Sequence, residues 1–195
     1  MNSDFIATFD LFLKTEAGLC RNTIVRYMKC FKRITNMALA KEWMRKDPFY
    51  GYKMAQDETD PVFLTYPELK SIMEKEFTIP RLALVRDIFV FAAFTGLAFA
   101  DVSTLTKDNL VQDNNGDWWI RKGRVKLERR HRASSVCNIP LLPVPLAILK
   151  KYEEHPICRK KSLCLPVICN QRMNSYLKEI ADLCNIRTVS YTHLT

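Results

Sequence analysis

Over the first forty positions apolar residues recur at intervals of three and four, a spacing that predicts two helices. Asn2, Ser3 and Asp4 can cap the first, which carries Phe5, Phe9, Phe12 and Leu13 on one side and is ended by Gly18. Asn22 stands where it would cap the second. There Ile24, Tyr27, Met28, Phe31, Ile34 and Ala38 form the apolar stripe, while Arg26, Lys29, Lys32 and Arg33 fill the other face. The pattern runs on through Trp43 and stops at Asp47-Pro48-Phe49, because proline disfavours helical backbone in the residue before it. From Met54 to Pro61 periodicity gives way to polar and acidic residues (Gln56, Asp57, Glu58, Asp60), as in an exposed linker.

Beyond the linker the helical signals return and are then broken by strands. Thr65-Tyr66-Pro67-Glu68 has the form of a capping box and opens a helix through Glu74. Arg81 to Thr95 is long and apolar, so it reads as the central buried helix of a second domain, with Gly96 as its stop. Asn114-Asn115-Gly116-Asp117 is a strong turn signal between Leu110-Val111 and Trp118-Trp119-Ile120, and Val136 to Leu141 supplies another strand. Pro145 to Tyr152 predicts a helix, and Met173, Tyr176, Leu177, Ile180 and Cys184 mark a last one. The expected fold class is mainly α with a small antiparallel β-sheet, without internal repeats.

Composition narrows the function. A hydrophobic content of 48% fits a folded protein, and no apolar run approaches the roughly 18–20 residues a bilayer span requires. The N-terminus lacks the features of a signal peptide, so a cytoplasmic protein without a membrane partner is expected. Thirty Lys and Arg against 21 Asp and Glu give a formal net charge of +9, the surplus that a phosphate-binding surface requires. Seven cysteines, an odd and scattered number, make no disulfide framework and read as buried free thiols. His155, Cys158, Cys164 and Cys169 contain no CxxC pair and match no common zinc module, so no metal site is expected.

Two segments carry a resemblance. Phe94-Thr95-Gly96-Leu97-Ala98-Phe99-Ala100-Asp101 reads as a buried helix stopped by glycine and restarted as a short one, and the run Arg121 to Arg132 reads as a cationic β-hairpin. With Asn22-Thr23 and Tyr27, Lys41-Glu42-Trp43 before Asp47-Pro48-Phe49, Phe63-Leu64-Thr65 and Ile139-Pro140-Leu141-Leu142-Pro143, their order resembles the tyrosine recombinases. These are the phage-type integrases, here especially those of Bacteroides-type mobile elements. The resemblance implies a helical core-binding domain over 1–54, a linker over 55–64 and a partial α+β catalytic domain over 65–187. Such enzymes cut duplex DNA with a tyrosine hydroxyl, hold a 3′-phosphotyrosyl bond and rejoin the strands, and need no cofactor or metal. They assemble as tetramers on DNA.

Carried over residue by residue, the implied site is incomplete. Ala98 stands at the place of the family's first catalytic arginine. Asp101 matches an acidic residue that orients neighbouring basic groups, although an acid in the first turn of a helix is also favoured by the dipole alone. Lys126 matches the hairpin lysine that protonates the departing oxygen, unless it is one more backbone-contacting cation. The implied DNA-binding residues are Asn22, Thr23, Arg26, Tyr27, Lys29 and Arg33 on the basic helix, and Lys122, Arg124, Arg129, Arg130 and Arg132 on the hairpin, the two gripping DNA as a C-shaped clamp. Thr192-His193 falls in register with the family's histidine box, which would make His193 catalytic. The octet Thr188 to Thr195 also matches a translated transposon-end sequencing adapter, and on that reading 188–195 is a non-native tail and Tyr191 is not a nucleophile. The expectation is a recombinase fragment that binds duplex DNA and does not cut alone, or alternatively a non-cutting protein that occupies recombination sites.

Overall fold

The computed structural model describes residues 2–58, 63–123 and 136–186. The chain divides into two compact units, Met1–Asp60 and Pro61–Thr195.

In the first unit α1 spans Ser3–Thr15, capped by Asn2, whose side chain accepts the Phe5 amide at 3.2 Å. The second helix, α2, spans Arg21–Ala40 with Cys20 at its N-cap. Asn22 therefore lies inside the first turn and does not cap it, because its side chain is engaged elsewhere. Ile6, Leu13, Ile24, Met28 and Phe49 form the core. Around it Phe9, Phe31, Phe49 and Tyr52 follow one another edge to face, with centroids 5.7, 5.7 and 5.9 Å apart, each pair worth about 0.5–1.5 kcal/mol beyond its buried area.

The apolar stripe of α2 is narrower than the sequence pattern implied. Ile24, Val25, Met28 and Thr35 are buried, whereas Tyr27 and Ile34 are 54% and 58% exposed. At about 100° per residue, positions 24, 28, 31 and 35 keep to one line, and positions 27 and 34 fall roughly 70–90° round the helix from it.

In the second unit α3 spans Tyr66–Glu74, and the Glu68 carboxylate accepts both the amide and the hydroxyl of Thr65 at 2.8 Å. The fourth helix, α4, spans Pro80–Thr95 and buries Leu82, Val85, Ile88, Val90, Phe91 and Ala92, so it is covered on nearly every side. It ends at Gly96, whose φ of 64° lies in the left-handed region that a side chain would strain, with the Gly96 amide on the Ala92 carbonyl at 2.9 Å. A short α5, Phe99–Ser103, and a 3-10 turn, Lys107–Asn109, follow.

The sheet order is β1-β2-β3, all antiparallel, with β1 Leu110–Gln112, β2 Trp118–Gly123 and β3 Val136–Pro140. At the first hairpin the Asp113 carboxylate accepts the Asn115 and Asp117 amides at 2.9 Å and the Trp119 indole N–H at 3.1 Å. These donors, the Asp117 amide foremost, hold its carboxyl below the usual range. The remaining helices are α6 (Pro143–Tyr152), α7 (Pro156–Lys161) and α8 (Asn170–Leu183). The short α7 escaped the sequence reading because Cys158 is its one buried residue, too little for a periodic stripe.

Two further expectations are corrected. Only Cys158 and Cys164 are buried thiols, while Cys20, Cys30 and Cys169 are exposed, because Cys20 and Cys169 are the N-caps of α2 and α8 and Cys30 lies on α2 away from its buried stripe. The sequence also left Asp87 unremarked, although it is a carboxylate inside the apolar run of α4. It is 6% exposed and accepts from Arg86 Nε at 2.9 Å, Lys151 Nζ at 2.7 Å and the Tyr152 hydroxyl at 2.8 Å. These bonds fasten α4 to α6. Burial, and then the bond to Asp87, push the Tyr152 phenol well above its ordinary 10.0.

Replacing Asp87 by Ala strands the buried Tyr152 hydroxyl, while Lys151, half-exposed, can return to water. The expected loss is about 1–3 kcal/mol in urea unfolding, and an unchanged midpoint would show that the network contributes nothing. Because the phenol's folded value is raised, its contribution is intact below pH 10 and falls as pH rises beyond it. Tyr152→Phe should flatten that alkaline decline in a stability-versus-pH series.

Candidate nucleic-acid interface

The basic helix does not present all its polar residues to solvent. Arg21 lies in the first turn of α2 and reaches across to α1, donating to both oxygens of Asp10 at 3.0 and 3.2 Å. It also donates to the carbonyls of Ala55 and Lys53 at 3.1 and 3.4 Å. The Tyr52 hydroxyl donates to Asp10 at 2.8 Å, and burial first, then this carboxylate, raise its pKa. Asn22 forms a reciprocal pair with the backbone of Asp57, its Nδ2 donating at 3.1 Å and its Oδ1 accepting at 2.9 Å. Lys29 Nζ donates to Gln56 Oε1 at 3.2 Å. Residues 52–57 thus form a strap laid along α1 and α2, and Arg21, Asn22 and Lys29 are its fasteners.

The other predicted residues of α2 separate cleanly from these. The Thr23 hydroxyl lies 3.1 Å from Cys20 Sγ, one turn back at the start of the helix. Arg26, Tyr27 and Arg33 are exposed. Arg26 and Arg33 stand seven residues apart, hence on nearly the same line of the helix and about 10 Å from one another along its axis. That line is opposite the buried stripe, so both guanidinium groups face water.

In the second unit β2 meets the short helix after Gly96. Lys122, on β2 opposite Cys137, donates to the carbonyl of Thr104 at 2.9 Å, and Thr104 is the C-cap of α5. Ala98 is the N-cap of that helix, and its carbonyl accepts the amides of Asp101 and Val102 at 2.9 and 3.0 Å. Asp101 is buried, 4% exposed. The two ends of α5 therefore hold Ala98 and the Lys122 contact, with Asp101 between them. Lys126, Arg124, Arg129, Arg130, Arg132 and His193 lie outside the described residues.

Sequence reasoning missed Arg21, Asp10 and Tyr52. Nothing local marks an arginine beside Asn22 at the start of a basic helix, and only the fold reveals Asp10 across from it. His155 accepts the Ile157 amide through Nδ1 at 3.3 Å, acting as a helix cap. Among the described residues no cluster of three His, Cys, Asp or Glu is placed to hold a metal ion, and no helix is long and apolar enough to cross a membrane.

Residues 1–54 match the phage integrase SAM-like domain. The whole chain is similar in structure to the XerH site-specific recombinase, solved bound to its difH substrate as a pre-cleavage complex, with a TM-score of 0.65 at 18% identity. All of this chain and 57% of that one are covered. It is also similar to the XerA recombinase, with a TM-score of 0.46 at 13% identity, covering all of this chain and 65% of that one. Sequence comparison with curated proteins finds no match. The XerH likeness gives the fold: mostly helical, with a small antiparallel sheet in its second part.

Because the ion pair of Arg21 with Asp10 is about three-quarters covered, Arg21→Ala should loosen the strap by about 1 kcal/mol, hence about fivefold in local opening. Tryptic cleavage after Lys53, followed by mass spectrometry, should accelerate accordingly. An unchanged rate would show that Arg21 does not hold the strap.

Proposed function

We propose that this chain, which carries a phage integrase SAM-like domain and has the fold of a tyrosine recombinase, is the DNA-gripping part of a site-specific DNA recombinase. It spans little more than half the length of the XerH chain. What supports the reading is one helix: within the integrase-like domain, α2 turns Arg26 and Arg33 outward along a single line. Two long cationic side chains so placed can both reach phosphates of one duplex, and such contacts supply affinity and register independent of base sequence. Tyr27 lies beside them, while Lys29, Asn22 and Thr23 contribute by holding the helix and strap in shape.

On this reading the second unit prepares the scissile phosphate. Negative charge develops on the phosphoryl oxygens as a tyrosine hydroxyl attacks, and fixed cations lower the energy of that state. Lys122 is tied to the Thr104 carbonyl at the C-terminal end of α5, which joins β2 to the short helix that follows Gly96. Lys126, four residues on, is then the proposed donor of a proton to the departing 5′-oxygen. Asp101 orients neighbouring basic groups, and His193, if native, adds a donor to the phosphate. Arg124, Arg129, Arg130 and Arg132 would hold flanking phosphates, and assembly into tetramers on DNA would bring two duplexes together.

Ala98 favours a second reading, a protein that occupies recombination sites without cutting them. Its methyl group cannot donate a hydrogen bond to a phosphoryl oxygen, so one cation of the expected clamp is lacking at this place.

Binding to a duplex of about 30 base pairs should weaken linearly on a log-log plot against salt, and Arg26→Ala and Arg33→Ala should each reduce the slope by about one. A slope near zero in the unmodified chain would sink the proposal. On a nicked suicide duplex the chain is expected to form no covalent adduct; an adduct surviving denaturing gel electrophoresis would eliminate the non-cutting reading.

A further inference from the structure

The first unit carries a second exposed feature that the duplex-facing line of α2 does not use. After α2 the chain turns back over residues 41–53, and this segment is firmly built. The amides of Trp43 and Met44 both bond the Ala38 carbonyl, at 2.9 and 3.3 Å, closing the helix. Phe49 is buried against Phe31 and Tyr52, and its amide donates to Asp47 Oδ1 at 2.9 Å. The Tyr50 amide bonds the Asp47 carbonyl at 3.2 Å.

On this fixed backbone two large rings point into water, Trp43 at 70% and Tyr50 at 87% exposure. The hydrophobic effect gives no reason for either, since a ring on an anchored backbone loses its apolar hydration penalty only by being covered. Cations share the segment with them. Lys41 Nζ sits 4.8 Å from the Trp43 ring centroid, and Arg45, Lys46 and Lys53 are exposed along the same segment. Of its two carboxylates, Asp47 is engaged with the Phe49 amide.

We propose that the loop 41–53 is a binding surface for unpaired DNA, with Trp43 and Tyr50 as stacking platforms for bases and Lys41, Arg45, Lys46 and Lys53 as partners of the intervening phosphates. Intact duplex offers no base face to stack on, so this surface selects single strands, such as those laid open when a helix is frayed or a strand displaced. The charge decides against a protein partner: four cations against two carboxylates suit a polyanion, and the flat exposed rings suit bases of any identity. Lys41, already against the indole, would stay beside it to meet the phosphate next to the stacked base. The proposal presumes a DNA-binding protein but not the duplex site on α2.

The test is a fluorescence titration of the full chain with an oligothymidylate of about twelve nucleotides, beside the salt-dependent duplex titration. Trp43 is the one tryptophan of the first unit, so stacking on it should quench part of the emission. Trp43→Ala and Tyr50→Ala should each weaken oligothymidylate binding by about tenfold and leave duplex affinity unchanged. Trp43→Phe should retain affinity within about threefold while losing the quench. Equal single-strand affinity in the unmodified chain and the Trp43→Ala, Tyr50→Ala double variant would overturn the proposal, as would equal losses on both ligands. Self-association abolished by the double variant, with no oligothymidylate binding, would assign the rings to a second copy and overturn it too. Failure of the unmodified chain on duplex alone would instead remove the recombinase reading and leave the single-strand result standing.

Discussion

One carboxylate governs the second unit. Helix α4 is apolar on almost every side, which buries it, but Asp87 is carried into the interior with it. A bare carboxylate there would be prohibitively costly, and the fold answers with Arg86 on one oxygen and Lys151 and Tyr152 on the other. Meeting that need fixes where α6 lies against α4. Arg86 also donates to the Lys75 carbonyl and so ties down the chain between α3 and α4. Apolar burial makes the core, and the buried charge selects one arrangement of it.

The same helix sets where the next element starts. Its last turn is closed by Gly96 in the left-handed conformation, and α5 therefore begins at a defined angle from a buried, rigid base. Lys122 then secures the sheet to the far end of α5.

In the first unit the distribution of charge matters more than its total. Arg21, Asn22 and Lys29 are engaged with Asp10 or the strap, Lys29 while exposed, whereas Arg26 and Arg33 face solvent opposite the buried stripe, and all five lie on one helix. A net charge of +9 says that phosphate is a suitable partner; only the partners of each side chain say which cations remain to meet it.

Much of this could be read from residue order. Local rules sufficed for the cap at Asn2, the Thr65–Glu68 box, the stop at Gly96 and the hairpin at Asn114 to Asp117, because the groups concerned lie within four positions of one another. The apolar run identified α4, because burial on several sides leaves its mark on composition, and a stripe at helical spacing identified α8, which buries one face. The sequence could not show that Tyr27 and Ile34 fall outside the stripe, since that depends on how far the packed face extends. Nor could it show that Asp10 awaits Arg21, that Asn22 clasps Asp57, or that Asp87 gathers partners 64 and 65 residues away. Those pairings join segments with no local relation, and only the folded chain brings their charges within bonding distance.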